Sequence, residues 1–438
     1  MTILPRQRLA IIGSGIGGLA LAVALSKLGL DETLEIDVYE STAKLAPVGA
    51  GISIWPRAWD ILRKMGLEKA LSERSPPSAS VSPGQKVSGF SYRKSDQKQG
   101  VPIVEVKLPC GPRAFHRADI QEVFLNHTSS LIRFHFCHRL KKYNKTSNGI
   151  ELTFYNGKNL TCDLLIGADG INSTVRNLFL ADENGNVECS RPKWTGTVAY
   201  RSLIEAEDVR KVNPQHPALE KYMVYCGKNK HIVMYPIMQG RYINTIQFVT
   251  DPTKEGTYIS TTGAVVDLSE DDIPTMYSGW EDDAQCIIKL VAKPSKWAIQ
   301  TVDTLDKYAS ECVVLLGDAA HGMAPHLGNG AAQAIEDAYV FANLIAAAHG
   351  QGRTYWDTKR ITDAYNLVRQ PFGNFVVDAT RQQGRRYDLN TPALQAVNEG
   401  DFIPPCELAD LGRSIEKGWE WTWNTLVTGD LERALAVL

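Results

Sequence analysis

Nowhere in the 438 residues does an apolar run approach the roughly 18 residues that suggest a membrane span, so no spanning helix is expected. No Cys-x-x-Cys pair or zinc-type spacing occurs. The eight cysteines are scattered singly, at Cys110, Cys137, Cys162, Cys189, Cys226, Cys286, Cys312 and Cys406. A chain of this size needs no covalent staples, so reduced thiols and no metal site are expected. Neither sign of charge dominates: 47 Lys and Arg against 49 Asp and Glu leave a net charge of −2. That removes the electrostatic reason to expect nucleic acid or an anionic membrane surface as a partner. A secretory leader is not expected either, because Leu9-Ala10-Ile11-Ile12 runs straight into a glycine turn without a cleavage pattern. The Asn-x-Ser/Thr sequons at Asn126, Asn144, Asn159 and Asn172 then read as chance matches. Internal repeats and low-complexity tails are also lacking. These absences point to a cytoplasmic protein whose partners are small molecules, and they leave monomer or homodimer open.

What is present is a composition of ordinary globular kind, 44% hydrophobic and 22% charged. The length exceeds one small core, so two domains or one large discontinuous unit are expected. Residues 8 to 13 read as a buried strand, 18 to 28 as a helix with small residues on one face, and 35 to 40 as a second strand: a βαβ opening. A helical pattern over 56 to 71 is followed by a Ser- and Pro-rich loop, 72 to 85. Another helix is predicted over 116 to 127, and then a meander from 131 to 166 turning at Ser147-Asn148-Gly149 and Asn156-Gly157-Lys158. Alternating strands from about 190 to 250 suggest a mostly antiparallel layer that could floor a pocket. A buried strand at 313 to 316 leads into a strong helix, 331 to 347, and the chain from about 354 is mainly helical.

Three segments carry chemistry. In Gly13-Ser14-Gly15-Ile16-Gly17-Gly18, Gly13 permits a tight turn and Gly15 lets the backbone approach a pyrophosphate, while Gly18 lets the helix pack on the strand. The helix start offers free N–H groups to phosphates. Glu40, about 20 residues on, can accept hydrogen bonds from ribose hydroxyls. The pattern signals dinucleotide binding without separating NAD from FAD. In Asp163-Leu164-Leu165-Ile166-Gly167-Ala168-Asp169-Gly170, Gly170 allows a sharp turn that Asp169 can hold by local bonds, with a helix N-cap at Asn172 or Ser173. In Leu315-Leu316-Gly317-Asp318-Ala319-Ala320-His321, Asp318 ends a buried strand where it can meet a polyol. After Pro325, the amides of Gly330 and Ala331 open a helix and can stabilise negative charge.

Taken with Gly49-Ala50-Gly51 and His116-Arg117-Ala118-Asp119, these segments resemble, in order and over nearly the whole chain, the group A flavoprotein monooxygenases of the para-hydroxybenzoate hydroxylase fold. Trp55-Pro56-Arg57, Ala199-Tyr200-Arg201, Tyr235-Pro236, Gln333 to Ala338 and Trp419-Glu420-Trp421-Thr422-Trp423 are most similar to fungal salicylate hydroxylase-like members. The resemblance implies an α/β fold: a Rossmann-like FAD-binding domain (1–75, 105–185, 297–350), interleaved with a mostly antiparallel β-sheet substrate domain (76–104, 186–296), and C-terminal helices (351–438). It implies FAD held by Gly13, Gly15, Gly18, Glu40, Gly51, Arg117, Asp169, Asp318, Pro325, Gly330 and Ala331, with Pro325 bordering the ring. NADH or NADPH would serve as transient reductant. Where many relatives carry Pro-Asn-Ala this chain has Pro56-Arg57-Ala58, which leaves open whether Arg57 touches flavin or shapes its surroundings.

The implied reaction is hydroxylation of a small aromatic acid by molecular oxygen through a flavin C4a-hydroperoxide, which works best on a phenolate. Salicylate to catechol with decarboxylation is the first expectation, a fungal polyketide phenol the alternative, and an NAD-dependent dehydrogenase the rival of another class. His231 and Tyr235 lie four apart on a predicted strand and so share a face. Related phenol hydroxylases place a histidine base and a tyrosine at this spacing, so His231 is expected to deprotonate the phenol and Tyr235 to orient it. Against this stands a surface histidine and a packed tyrosine. Arg201 could meet a carboxylate or phenolate, or be an exposed arginine with a weak ion pair. His321 and His326 are expected to be structural, and Trp419 and Trp423 to be packing.

Overall fold

The computed structural model describes residues 6–45, 51–75, 86–109, 111, 113–185, 188, 191–259, 273–350 and 357–438. Cys110, Cys189, Gly49, Ala50 and most of the 72–85 loop lie outside them.

Two sheets organise the chain. The first has six strands in the spatial order Ala309–Ser310, Val313–Leu315, Leu164–Gly167, Arg8–Ile12, Glu35–Tyr39 and Arg133–His135. All its pairings are parallel except that of the short Ala309–Ser310 edge. Its central strands are buried on both faces, which is why Leu9 to Ile12 and Leu164 to Ile166 are continuous apolar runs. The helix Ile16–Lys27 covers one face with Leu19, Ala20, Ala22 and Val23 fully buried, and packs against the helix Gly330–Gly350.

The second sheet has seven strands: Ser295–Thr301, Lys193–Glu205, Tyr242–Thr250, Lys230–Ile237, Tyr222–Gly227, Val87–Lys94 and Val101–Leu108. It is antiparallel except where Tyr222–Gly227 meets Val87–Lys94. The antiparallel layer predicted for 190 to 250 is therefore present, extended by strands from far earlier and later in the chain. Both positions 104/105 and 296/297 fall inside its strands.

The predicted meander is split. Arg133–His135 joins the parallel sheet, whereas Leu140–Thr146, Gly149–Phe154 and Asn159–Cys162 form a separate three-stranded antiparallel sheet with the two expected turns. Period-2 patterning marks strands but does not say which sheet a strand joins. A two-stranded ribbon pairs Gly51–Ile54 with Arg113–His116. The C-terminal part is helical, chiefly Thr358–Tyr387, Pro405–Trp419 and Val427–Leu435. Pro405–Trp419 lays Leu408, Leu411 and Ile415 against the edge of the second sheet. Among the described residues no helix is long and apolar enough to cross a membrane.

Candidate active site

The glycine turn is built by exclusion of side chains. Gly13 adopts φ +102°, and a Cβ there would collide with the Ala168 carbonyl, while one on Gly18 would collide with the Gly13 carbonyl. Gly15 differs: a Cβ would meet nothing nearer than Arg117 Nη2 at 4.0 Å, so its backbone faces open space. Glu40 stands beside this turn. It accepts hydrogen bonds from Ser14 N (3.0 Å) and Oγ (2.6 Å) on one oxygen and from Thr42 N and Oγ1 (both 2.9 Å) on the other. Burial pushes its pKa up, but these donors outweigh burial and hold the carboxyl below its ordinary range.

The next strand's turn lies alongside. Asp169 accepts from Ser173 Oγ, Thr174 N (2.7 Å) and Val175 N (3.2 Å), and Ser173 Oγ in turn accepts from Arg176 N at 2.9 Å, capping the helix Thr174–Asn184. The local role expected of Asp169 is thus present, and the cap is Ser173 rather than Asn172. Ala168 and Gly170, not the Asp169 side chain, line the cavity. Arg176, fully buried, donates to the carbonyls of Asp318, Ala319 and Ile171, tying this turn to the one after residue 316.

In the third segment Gly317 takes φ +57° and Asp318 is exposed, with no hydrogen bond to its carboxylate among the described residues. Beneath it, Asp337 receives Gly317 N (2.8 Å), His321 Nε2 (2.6 Å) and Arg369 Nε (2.7 Å). His321 is therefore structural, as expected. The helix from Gly330 starts at the cavity, where Pro325, Gly330 and Ala331 form the wall.

Gly15, Gly51, Arg117, Asp318, Pro325, Gly330 and Ala331 converge with the second sheet on one cavity of about 730 Å³. Strand register determines which sheet residues reach it. Alternate residues of each strand share a face, and the pairings align them in rows: Ala199, Phe248 and His231; then Arg201, Ile246 and Val233; then Leu203, Asn244 and Tyr235. Arg201 and Tyr235 both line the cavity, and Tyr235 stacks on Tyr222 with rings 5.0 Å apart. Burial raises the Tyr235 pKa, and Arg201 partly offsets this. Burial lowers that of Arg201, whose Nε is buried without a partner and whose guanidinium meets no carboxylate among the described residues. It is not the exposed, ion-paired strand arginine of the alternative reading.

His231 is a correction. It shares the face of Tyr235 but is fully buried and does not line the cavity. Its ring stacks on Phe248 at 4.4 Å, and its Nδ1–H donates to Asp388 Oδ1 at 2.6 Å. His326, expected to be structural, occupies the wall instead. Period-2 alternation correctly assigns the face, but residues from the end of the helix Thr358–Tyr387 cover its far row. Arg57 is settled too: it pairs with Glu336 (3.0 Å) and Asp430 (2.5 Å), lies over the Phe372 ring at 4.2 Å, and does not line the cavity. Trp419 does line it, stacked on Phe90 and donating to Tyr92 Oη at 2.8 Å, whereas Trp423 packs behind. Asn244, with its Nδ2 buried and unpartnered, was missed. Its only sequence signal was a polar residue in register with the apolar Ile246 and Phe248 on the same face of its strand.

Comparison with known proteins names this arrangement. A family model described as FAD binding domain matches residues 6–380, and the chain belongs to that family. It is similar to salicylate hydroxylase of Pseudomonas putida, 29% identical over 437 residues, covering 98% of this chain and 95% of the relative. It is 32% identical over 444 residues to the 6-methylsalicylate 1-monooxygenase of Aspergillus terreus, covering 99% and 92%. A solved salicylate hydroxylase substrate complex superposes with a TM-score of 0.82 at 26% identity, covering 98% of both chains. The protein is an FAD-dependent aromatic monooxygenase of the salicylate hydroxylase type, not a dehydrogenase. The residues present fit the cofactor: a side-chain-free approach at Gly15 for a pyrophosphate and an unengaged carboxylate at Asp318 for a polyol.

Proposed function

We propose that this chain hydroxylates a phenolic acid of the salicylate kind, consuming NADH or NADPH and molecular oxygen, with salicylate to catechol and carbon dioxide as the first reaction to test. The observation that carries this reading is Arg201, a cation with an unpartnered buried Nε in the wall of an otherwise largely aromatic and aliphatic cavity. A guanidinium whose Nε is buried and unpaired leaves a deficit that a substrate carboxylate removes. Asn244 and Tyr235, on neighbouring strands, supply further polar groups that fix the ring's orientation.

FAD, when bound, accepts hydride from the nicotinamide and activates oxygen. Gly13, Gly15 and Gly18 would admit its pyrophosphate, and Glu40 would face its ribose. Arg117 and Asp318 would hold the ribityl portion, and Gly51 and Pro325 would border the ring. The amides of Gly330 and Ala331 would stabilise negative charge on it. Asp169 keeps the Ala168–Gly170 turn in shape from behind. The strands and helices of 1–75, 105–185 and 297–350 would serve the cofactor, those of 76–104 and 186–296 the substrate, and 351–438 would close the cavity through Trp419 and Tyr387.

A second reading, an alkylated polyketide phenol, is favoured by the substrate in the name of the Aspergillus terreus relative, 6-methylsalicylate. FAD-loaded protein with NADH or NADPH, offered salicylate and 6-methylsalicylate in parallel, separates the two. Formation of the decarboxylated catechol, matched to NAD(P)H consumed, supports the reading. Accelerated NAD(P)H oxidation that yields only hydrogen peroxide with both acids overturns it.

A further inference from the structure

The floor of the cavity is a single row of the second sheet. Register pairs Arg201 with Ile246, Ile246 with Val233, Val233 with Val224 and Val224 with Tyr92, and all of them line the cavity. They belong to successive neighbouring strands. With strands spaced about 4.8 Å apart, the backbones under Arg201 and Tyr92 are on the order of 19 Å from one another. A one-ring acid anchored at Arg201 leaves the far strands of this floor uncovered.

The two ends differ. Beside Arg201, Leu203 and Ser295 line the cavity and are exposed, so among the described residues this end faces solvent. The other end is a compartment of buried rings, where Trp55, Phe90, Tyr92, Tyr387 and Trp419 form the wall. Phe90 stacks on Trp419 with rings 5.5 Å apart, and Trp419 meets Trp55 at 4.5 Å. A cation at the open end and rings at the closed end suit an elongated guest with a charged head and an apolar tail.

Within that compartment the polar tips are paired, with one exception. Trp419 Nε1–H donates to Tyr92 Oη at 2.8 Å, and Tyr92 Oη lies 3.0 Å from Tyr387 Oη. Tyr387 Oη–H in turn donates to the His326 carbonyl at 3.3 Å. Trp55 Nε1–H is buried and has no acceptor among the described residues. A buried indole N–H ordinarily finds a partner, so this one calls for an explanation. A Cβ on Gly328 would stand 3.7 Å from that nitrogen, and Gly328 lines the cavity. The missing side chain leaves the approach to the N–H clear.

We propose that the substrate is an elongated phenolic acid. Its carboxylate sits at Arg201, and an aryl substituent, joined through a carbonyl or ether oxygen, fills the ring compartment and accepts the Trp55 N–H. The inference rests on the phenolic-acid reading above and narrows its substrate class. Burial of a second ring adds affinity that a one-ring acid forgoes. The linking oxygen satisfies the one donor that packing leaves unpaired. Trp55 thereby determines specificity for the substituent, at the opposite end of the floor from the residue that holds the acid.

The test uses FAD-loaded full-length protein without reductant and measures binding by isothermal titration calorimetry. Salicylate is compared with its 4-benzyl, 5-benzyl, 4-benzoyl and 5-benzoyl derivatives, in which the second ring is linked without or with a carbonyl oxygen. In wild type the better-fitting benzoyl acid is expected to bind about tenfold or more tightly than salicylate. It should also bind about threefold to tenfold more tightly than the matching benzyl acid. In Trp55→Phe, which keeps a ring in place and removes the donor, that benzoyl advantage over benzyl is expected to vanish. Retained yellow holoprotein shows that the variant folds, and the wild-type comparison stands without it. A merely structural Trp55 would weaken benzyl and benzoyl acids alike and keep their ratio, which overturns the proposal. So does wild-type protein that binds salicylate as tightly as every extended acid. If it binds neither salicylate nor any extended acid, the phenolic-acid reading fails and this inference with it.

Discussion

Arg369 donates from Nε to Asp337 Oδ1 at 2.7 Å, while the other oxygen of that carboxylate receives the backbone N–H of Gly317, the residue just before Asp318. Both side chains are wholly buried, and Arg369 also reaches Glu336 at 3.0 Å. The conformation of the cofactor-side loop is thus set by charges that never touch the cavity. Arg369→Met is expected to take from the buried Asp337 and Glu336 the guanidinium they share and cost about 3–5 kcal/mol, read as a fall in the urea midpoint with flavin lost early in the transition. A stability within 1 kcal/mol of wild type would show that the cluster does not hold the loop.

The same cluster predicts an acid limb. Burial raises the Asp337 pKa, but His321 and Arg369 outweigh it and bring it from 3.8 down to about 2. A carboxyl depressed in the folded state contributes stability that is complete above its unfolded value and is lost as pH falls through the folded one. About 2 kcal/mol should therefore disappear between roughly pH 4 and pH 2. The pH dependence of unfolding should flatten over this window in Asp337→Asn.

Asp318 makes no hydrogen bond through its carboxylate within the described protein, so Asp318→Ala should leave the apoprotein's melting temperature nearly unchanged. FAD affinity should fall on the order of tenfold to a hundredfold, the value of one or two charge-assisted hydrogen bonds. Flavin fluorescence titration measures it, and unaltered affinity would remove Asp318 from the cofactor site.

Arg201→Gln should raise KM for an aromatic acid on the order of tenfold to a hundredfold. Binding of the corresponding uncharged phenol should change little, because it never met the guanidinium. Equal losses for both would mean that Arg201 shapes the cavity instead of pairing with a carboxylate.

Gly13→Ala places a Cβ against the Ala168 carbonyl at φ +102°. The strained backbone alone costs about 1–3 kcal/mol, and the turn must move. The variant should purify colourless or with FAD well below one equivalent, judged by the ratio of flavin to protein absorbance.

Much of the cofactor side was legible in the chain itself. Gly13, Gly18 and Gly317 are dictated by local backbone geometry, and their spacing from strand ends survives in any sequence that builds the turn. Asp318 and the start of the Gly330–Gly350 helix follow from the same local logic. The substrate side was legible only in part. Alternation placed His231 and Tyr235 on one face, yet only Tyr235 reached the cavity, because Asp388, Tyr387 and His326 arrive from 90 to 160 residues away to cover the other. Arg57 could not be assigned for a similar reason: Glu336 and Asp430 are both more than 270 residues distant.

The sequence by itself determined the glycine turns, the two kinds of strand and the class of cofactor, because each depends on steric rules that act within a few residues. Tertiary structure alone decided which histidine lines the cavity, which arginine remains unpaired and which tryptophan becomes a wall. Those outcomes depend on register and on helix ends packing across the sheet, where a group's neighbours, and hence its charge and exposure, come from remote parts of the chain.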